Sequence, residues 1–230
     1  MSHAAEIKVM SSSAMKAALL ELVPRFERAT GHKVVASWIP GVDLMRRVKD
    51  GEAGDLVIMQ ASSIDELIKL GRIAPGSRVD LAKSGVGVAV RAGAARPDIS
   101  SAAALERALL AAKSIAYSTG PSGVYLAGLC QRLGIADELQ ARLRQVKGEP
   151  VGAVVARGEA EIGFQQVSEL LPVTGIDFLG PLPADIQQVT VFSSGLQVGA
   201  QAPAAAKALV EFITAPAAAP VIRMKGLEPA

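Results

Sequence analysis

Six short stretches of this 230-residue chain put small side chains and hydroxyls where an apolar run gives way to a helical pattern. They are MSSSAM (10–15), IPGVDL (39–44), MQASS (59–63), YSTGPSGVY (117–125), KGEPVGA (147–153) and FQQVSE (164–169). A turn of this kind offers unpaired backbone N–H groups at the positive end of a helix, with hydroxyls beside them. Its chemistry is the holding of an anion without a metal. In YSTGPSGVY, Gly120 and Pro121 make the turn, Ser118, Thr119 and Ser122 bring hydroxyls, and Gly123 and Val124 bring N–H groups. The stretch lacks the lysine of a phosphate-binding GxxxxGK[ST] loop, the spacing of GxGxxG and that of a GxSxG nucleophile elbow. Groups able to move a proton stand at or beside these junctions: Ser13, Lys16, Asp43, Tyr125 and Glu149. Each also has a plainer reading. Lys16 and Glu149 suit a solvated surface, Asp43 a helix cap and Tyr125 apolar packing. Arg46 and Arg47 could clamp a carboxylate or simply face water.

Composition narrows the classes. Half of the residues are hydrophobic, 20% are charged and 3% are aromatic, which describes a folded protein with an aliphatic core. A net charge of +2 with scattered basic residues argues against nucleic acid as a partner. Cys130 is the chain's one cysteine, set in an apolar helical pattern, so it reads as a buried thiol. His3 and His32 stand apart from any Cys or carboxylate cluster, and no metal or other cofactor is expected. No run of about 18 apolar residues suggests a membrane span. The start MSHAAEIKVM reaches its first expected strand within a few residues, before the longer apolar region a secretory signal needs. A periplasmic protein without its signal and a cytoplasmic one both fit.

These junctions need elements to position them. The spacing predicts strands at EIKVM, KVVASWI and DLVIMQ, alternating with helices in SSSAMKAALLELVPRFERATG, DLMRRVKDG and SSIDELIKLG. Serines are placed to cap the first and third of these helices, Asp43 to cap the second, and Gly31 to end the first. Strand VGVAVRAG, helix SAAALERALLAAK, strand SIAYS and helices GVYLAGLCQRLG and DELQARLRQV follow. After them come helix PVGAVVARGE, strand EIGFQQ, helix VSELLPV and strands IDFLGPLP and VTVFSSGLQVGA. One or two helices in PAAAKALVEFITAPAAAPVIRMKG close the chain. Such alternation implies mainly parallel sheets with helices on their faces, where ligands bind beyond the carboxyl ends of the strands.

The order and spacing of SSSAMKAALLELVPRFERATGHKV, DLMRRVKDGEAGDLVIM, GPSGVYLAGLCQRLG and VVARGEAEIGFQQVSEL resemble a type II periplasmic solute-binding protein, nearest its molybdate-binding branch. The resemblance covers about residues 6–228. It implies an α/β fold of two lobes, each a mainly parallel sheet flanked by helices, with two crossover strands and a ligand cleft between the lobes. Residues 1–85 plus 192–230 would form lobe one and residues 86–191 lobe two. It also implies that a small anionic ligand is held by the Ser11, Ser12 and Ser13 turn, by Gly41 and Val42 with Asp43 beside them, by the Ser118, Thr119, Ser122, Gly123 and Val124 turn, and by Val151, Gln165 and Gln166. Two departures bear on the ligand. The second turn, serine-rich in the family, reads PGVDL, and the family's tyrosine position is Gln166. Both remove hydroxyls and open room, which favours an organic di- or tricarboxylate over a metal oxyanion.

Two functions follow from the resemblance. One is a monomeric binding protein that delivers its anion to an ABC permease. The other is a metal-free isomerase: aconitate isomerase, which interconverts trans- and cis-aconitate, is a relative on the same scaffold. Binding needs only donors. Isomerisation also needs a proton-moving group, drawn from Ser13, Lys16, Asp43, Tyr125 and Glu149.

Overall fold

The computed structural model describes residues 4–230, so His3 lies outside the described residues. The first apolar run is strand β1 (Glu6–Ser11), and the serine-led stretch after it is a 3-10 turn (Ser13–Met15) running into helix α1 (Lys16–Thr30). Helix α1 buries Ala18, Leu19, Leu22 and Phe26, one stripe at three- and four-residue spacing. It ends at Gly31, whose φ of 77° is the left-handed cap that glycine adopts without strain. Strand β2 (Lys33–Trp38), helix α2 (Gly41–Lys49), strand β3 (Leu56–Gln60) and helix α3 (Ala61–Lys69) continue the alternation.

Strand β4 (Val79–Arg91) is longer than its apolar pattern suggested. Helix α4 (Ala102–Ala111), strand β5 (Ile115–Ser118), helices α5 (Pro121–Arg132) and α6 (Ala136–Leu139), and strand β6 (Leu143–Val146) follow it. Then come helix α7 (Val151–Ala156), strand β7 (Ile162–Gln166), helix α8 (Val167–Leu170) and strands β8 (Ile176–Pro181) and β9 (Val189–Leu196). Helix α9 (Pro203–Thr214), helix α10 (Ala219–Met224) and a two-residue strand β10 (Glu228–Pro229) finish the chain.

Two compact units result, one of Met1–Ser84 with Thr190–Ala230 and one of Gly85–Val189. In the first, β2, β1 and β3 run parallel, β9 pairs antiparallel with β3, and β10 pairs antiparallel with the start of β4. Strand β3 shows why its sequence reads as an unbroken apolar run. Leu56 and Ile58 pack with α1, α9 and α10, while Val57 and Met59 pack with α2 and α3. Helices cover both faces, so successive residues of the strand are buried. In the second unit, β6, β5 and β7 run parallel, and β4 pairs antiparallel with β7 and with β8. Val88, Ile115, Ile162 and Phe164 pack with α4, α5 and α6 on one face. Ala116 and Val146 pack with α7 on the other.

Three local expectations are corrected. The stretch DELQARLRQV is a helix only to Leu139, and its second half is the edge strand β6. Arg142 makes that change of direction, donating from its guanidinium to the carbonyls of Leu110, Ala112 and Glu138. Asp43 does not cap α2, because the helix begins at Gly41 after Pro40 and places Asp43 in its first turn. The serines cap neither α1 nor α3, whose N-cap residues are Met15 and Gln60 with no side-chain cap bond. Helix α1 continues from the 3-10 turn and α3 directly from the end of β3, which sets the chain direction at both starts.

Candidate functional site

In the first unit the donor-rich turns meet at the ends of β1 and β2. Ile39 N–H donates to the Ser11 carbonyl at 2.9 Å and Ser12 N–H to the Ile58 carbonyl at 2.8 Å. These bonds fix the MSSSAM turn to its neighbouring strands. Ser11 is fully buried, and its hydroxyl donates to the Ser12 carbonyl at 2.9 Å. Ser12 is also buried, and its Oγ has no hydrogen-bond partner. A buried hydroxyl without a partner costs about 1–3 kcal/mol, so the turn carries unused polar capacity at the expected position. Ser13 is half-buried at the start of the 3-10 turn, and Lys16 is exposed one turn on.

Helix α2 begins at the partly exposed Gly41, and its Leu44 N–H donates to the Pro40 carbonyl at 2.9 Å. The N–H groups of Gly41, Val42 and Asp43 therefore have no acceptor within the helix. The Val42 side chain is exposed, and Asp43 pairs weakly with Arg46 at 3.5 Å. Arg47 lies 3.5 Å from Glu52, so both arginines face solvent carboxylates of their own neighbourhood.

In the second unit the end of β5 and the start of α5 form one tight knot. The Ser118 and Ser122 hydroxyls lie 3.0 Å apart, and Gly120 N–H donates to Ser118 Oγ at 3.2 Å. Ser122 is buried, while Thr119 is half-buried. Gly123 N–H and Val124 N–H both donate to the Gly120 carbonyl, at 3.0 and 3.1 Å. Pro121 has no N–H, which makes Ser122 the first-turn residue that can still offer one. Gly123 has a second role. A Cβ there would stand 1.7 Å from the Ser118 carbonyl oxygen, so only glycine lets the helix start so close to the strand end.

The remaining acid–base candidates of this unit have partners. Tyr125 donates its hydroxyl to the Ile186 carbonyl at 2.6 Å, and the Arg132 guanidinium sits 5.0 Å above its ring. Glu149 accepts both ends of the Arg157 guanidinium at 2.9 and 3.1 Å. Val151 N–H donates to Gln165 Oε1 at 2.9 Å, and Gln165 and Gln166 are buried at the end of β7.

One ionisable group escaped the sequence reading. Glu169, in α8, is half-buried at the end of β7, and its desolvation there, opposed by Gln165 and Gln166, pushes its carboxyl up to about 7. The signal was present. Glu169 lies three residues after Gln166, the place from which a glutamate reaches back to the first residue of a helix. Cys130 is buried, and desolvation pushes its thiol up, as befits packing. His32 accepts from Ala5 N–H at 3.1 Å and stacks on Phe26. Among the described residues no cluster of His, Cys, Asp and Glu is arranged to hold a metal ion, and no single helix is long and apolar enough to cross a membrane.

Comparison with known proteins gives the frame for these turns. A family model described as bacterial extracellular solute-binding protein matches residues 7–228. An aconitate isomerase from Pseudomonas sp is 40% identical over 229 residues, covering 97% of this chain and 87% of the relative. Molybdate-binding protein ModA of Azotobacter vinelandii is 29% identical over 237 residues, covering 97% of this chain and 90% of the relative. Among solved structures, the periplasmic molybdate-binding protein of Azotobacter vinelandii superposes with a TM-score of 0.82 at 22% identity, covering 97% of this chain and 99% of its own. The fold is thus that of the two-lobed periplasmic binding proteins.

Proposed function

The chain belongs to the family of bacterial extracellular solute-binding proteins, and from that premise we propose that it is an aconitate isomerase that holds its substrate as a solute-binding protein holds a solute. The observation that carries the proposal is the likeness to the Pseudomonas isomerase, 40% identical along 97% of this chain, against 29% for the molybdate binder. The residues agree with it. Gln166 and the PGVDL turn offer amide and backbone donors where a metal-oxyanion site would be richer in hydroxyls. Carboxylates of an organic acid suit such donors, which charge strengthens about twofold over neutral hydrogen bonds.

In the first unit, the N–H groups opening α2 and the partnerless Ser12 hydroxyl are donors suited to a carboxylate. The reaction removes a proton from an allylic carbon, passes through a carbanion delocalised onto a carboxylate, and returns a proton to the other allylic carbon. Fixed donors stabilise the charge that develops on that carboxylate. Tyr125 and Glu149 are held by Ile186 and Arg157, so the proton-moving group is drawn from Ser13, Lys16 and Asp43.

The family match favours a second reading, in which the protein delivers an anion to an ABC permease in the periplasm. One experiment separates them. Purified protein is incubated with trans-aconitate and the mixture is resolved by chromatography, while melting temperature is recorded with both aconitates, citrate, molybdate and sulfate. Formation of cis-aconitate in proportion to enzyme supports the isomerase. A thermal shift without turnover leaves the binding protein. No shift with any of these anions removes both.

A further inference from the structure

One donor-rich junction, MQASS, is not used by the proposed reaction. It opens α3, and α3 begins as a backbone twin of α2. Ser11, at the end of β1, is level with Trp38 of β2 and with Ile58 of β3. Helix α2 begins at Gly41, three residues beyond Trp38, and α3 begins at Ala61, three residues beyond Ile58. Their cap residues have matching backbones, Pro40 at φ −54°, ψ 138° and Gln60 at φ −57°, ψ 143°. Neither cap bonds its helix through a side chain. Both helices run for nine residues on the same face of the sheet, with Leu44 and Val48 of α2 in one cluster with Ile64 and Leu67 of α3. The N–H groups of Ala61, Ser62 and Ser63 therefore have no acceptor within their helix, as holds for Gly41, Val42 and Asp43.

A buried hydroxyl stands between the two starts. Strand β1 lies between β2 and β3, so the starts are two strand spacings apart, about 10 Å. Ser12 leaves β1 midway, its N–H donating to the Ile58 carbonyl at 2.8 Å. The chain is still extended there, at φ −65°, ψ 156°. Side chains alternate along an extended chain, so Ser12 points to the face of Met10, which packs with α2 and α3. Its Oγ is buried and has no hydrogen-bond partner. Buried hydroxyls are paired as a rule, and this one faces a gap bordered by two positive helix ends. An anion completes all three.

We propose that the start of α3 is a second carboxylate subsite, so that the first unit takes an acid with at least two carboxylates, one at each helix start with Ser12 between them. This rests on the anion-binding function proposed above. Gln60 Nε2 donates to Ser63 Oγ at 3.0 Å and keeps a second N–H for the ligand. A single tetrahedral oxyanion is too small to meet both starts, whereas carboxylates on separate carbons span them. The second start thus selects organic polyacids over metal oxyanions.

Proline tests the subsite with little else disturbed. Ala61 is the first residue of α3, where proline's fixed φ fits and the helix does not use the missing N–H. Gln60 already has the extended backbone that a residue before proline needs. Ala61→Pro should keep the wild-type urea midpoint in the absence of ligand. In titration calorimetry it should bind trans-aconitate about tenfold more weakly, the loss of one hydrogen bond to a charged group. Ala61→Gly keeps the N–H and should stay within about threefold of wild type. Wild-type affinity in Ala61→Pro overturns the proposal. Nitrogen-15 NMR of the wild type gives a second readout, which decides alone if Ala61→Pro has a lowered midpoint. Added trans-aconitate or citrate should shift the amides of Ala61 and Ser62 together with those of Gly41 and Val42. Shifts at α2 alone overturn the second subsite and leave the anion site in place. Shifts at both starts without turnover support the subsite while the isomerase reading fails. No shift at either start removes the anion site and the subsite together.

Discussion

At the scale of single residues, Gly123 and Tyr125 show how one motif holds two kinds of constraint. The spacing of YSTGPSGVY marks Gly123 and Val124 as donors for an anion, yet both N–H groups turn back to the Gly120 carbonyl, because the first turn closes on itself after Pro121. The tighter constraint on Gly123, the Ser118 carbonyl 1.7 Å from a would-be Cβ, comes from a helix pressed on a strand end and has no local signature. Gly123→Ala is therefore expected to destabilise by about 3 kcal/mol through forced backbone shift, and to abolish anion-induced stabilisation. Urea denaturation with and without trans-aconitate measures both. Tyr125 makes the opposite case. Its hydroxyl donates to Ile186, so Tyr125→Phe should cost about 1 kcal/mol of stability and change turnover of aconitate less than threefold. A loss of about a hundredfold, the usual scale of a missing acid or base, would return Tyr125 to the reaction. By the same scale, Asp43→Asn and Lys16→Met identify the proton-moving group if either falls that far while folding normally.

At the scale of elements, the alternation of apolar runs and amphipathic stretches was readable, and the corrections share a cause. Strand β6 hides in DELQARLRQV because an edge strand buries only Val146 fully, and the bonds that turn the chain come from Arg142, reaching carbonyls about 30 residues back. Long-range bonding also explains Asp55, which no pattern singled out. It is buried between α2 and β3 and accepts from Lys8 N–H at 2.8 Å, Gln201 N–H at 2.7 Å and Ala202 N–H at 2.9 Å. These bonds tie β1 to the residues that open α9, which the chain reaches about 145 residues later. Asp55→Ala leaves three part-buried donors without their acceptor and is expected to cost about 2 kcal/mol, read from a lowered urea midpoint. Asp55→Asn keeps one acceptor oxygen and should lose about half as much. Equal loss from both changes would mean that charge, not bonding, anchors α9.

At the scale of the whole molecule, stability against pH integrates groups that pull in opposite directions. Asp80 accepts from the Ser193 hydroxyl at 2.6 Å and pairs with Arg78, and the Ser193 bond first, then Arg78, holds its carboxyl below the usual range. A lowered carboxyl contributes stability above its unfolded value and loses it as pH falls through the folded one, so Asp80 weakens the protein in acid. Glu169 has the reverse sign. Its folded value near 7 exceeds the ordinary 4.5, so the native state binds the proton more tightly than the unfolded chain. Stability from Glu169 is complete below pH 4.5 and declines as pH rises to 7, by about 3 kcal/mol in all. Asp80 therefore favours the folded state as pH rises from the acid side, and Glu169 disfavours it between pH 4.5 and 7. Denaturant melts from pH 4 to 8.5 should show the Glu169 contribution as a decline between pH 4.5 and 7. In Glu169→Gln the decline should flatten by about 3 kcal/mol while the acid limb, to which Asp80 contributes, stays where it was. A flat wild-type profile between pH 5 and 8, or a variant that keeps the full slope, would mean that Glu169 reaches water when ionised and that its burial does not set the proton's affinity.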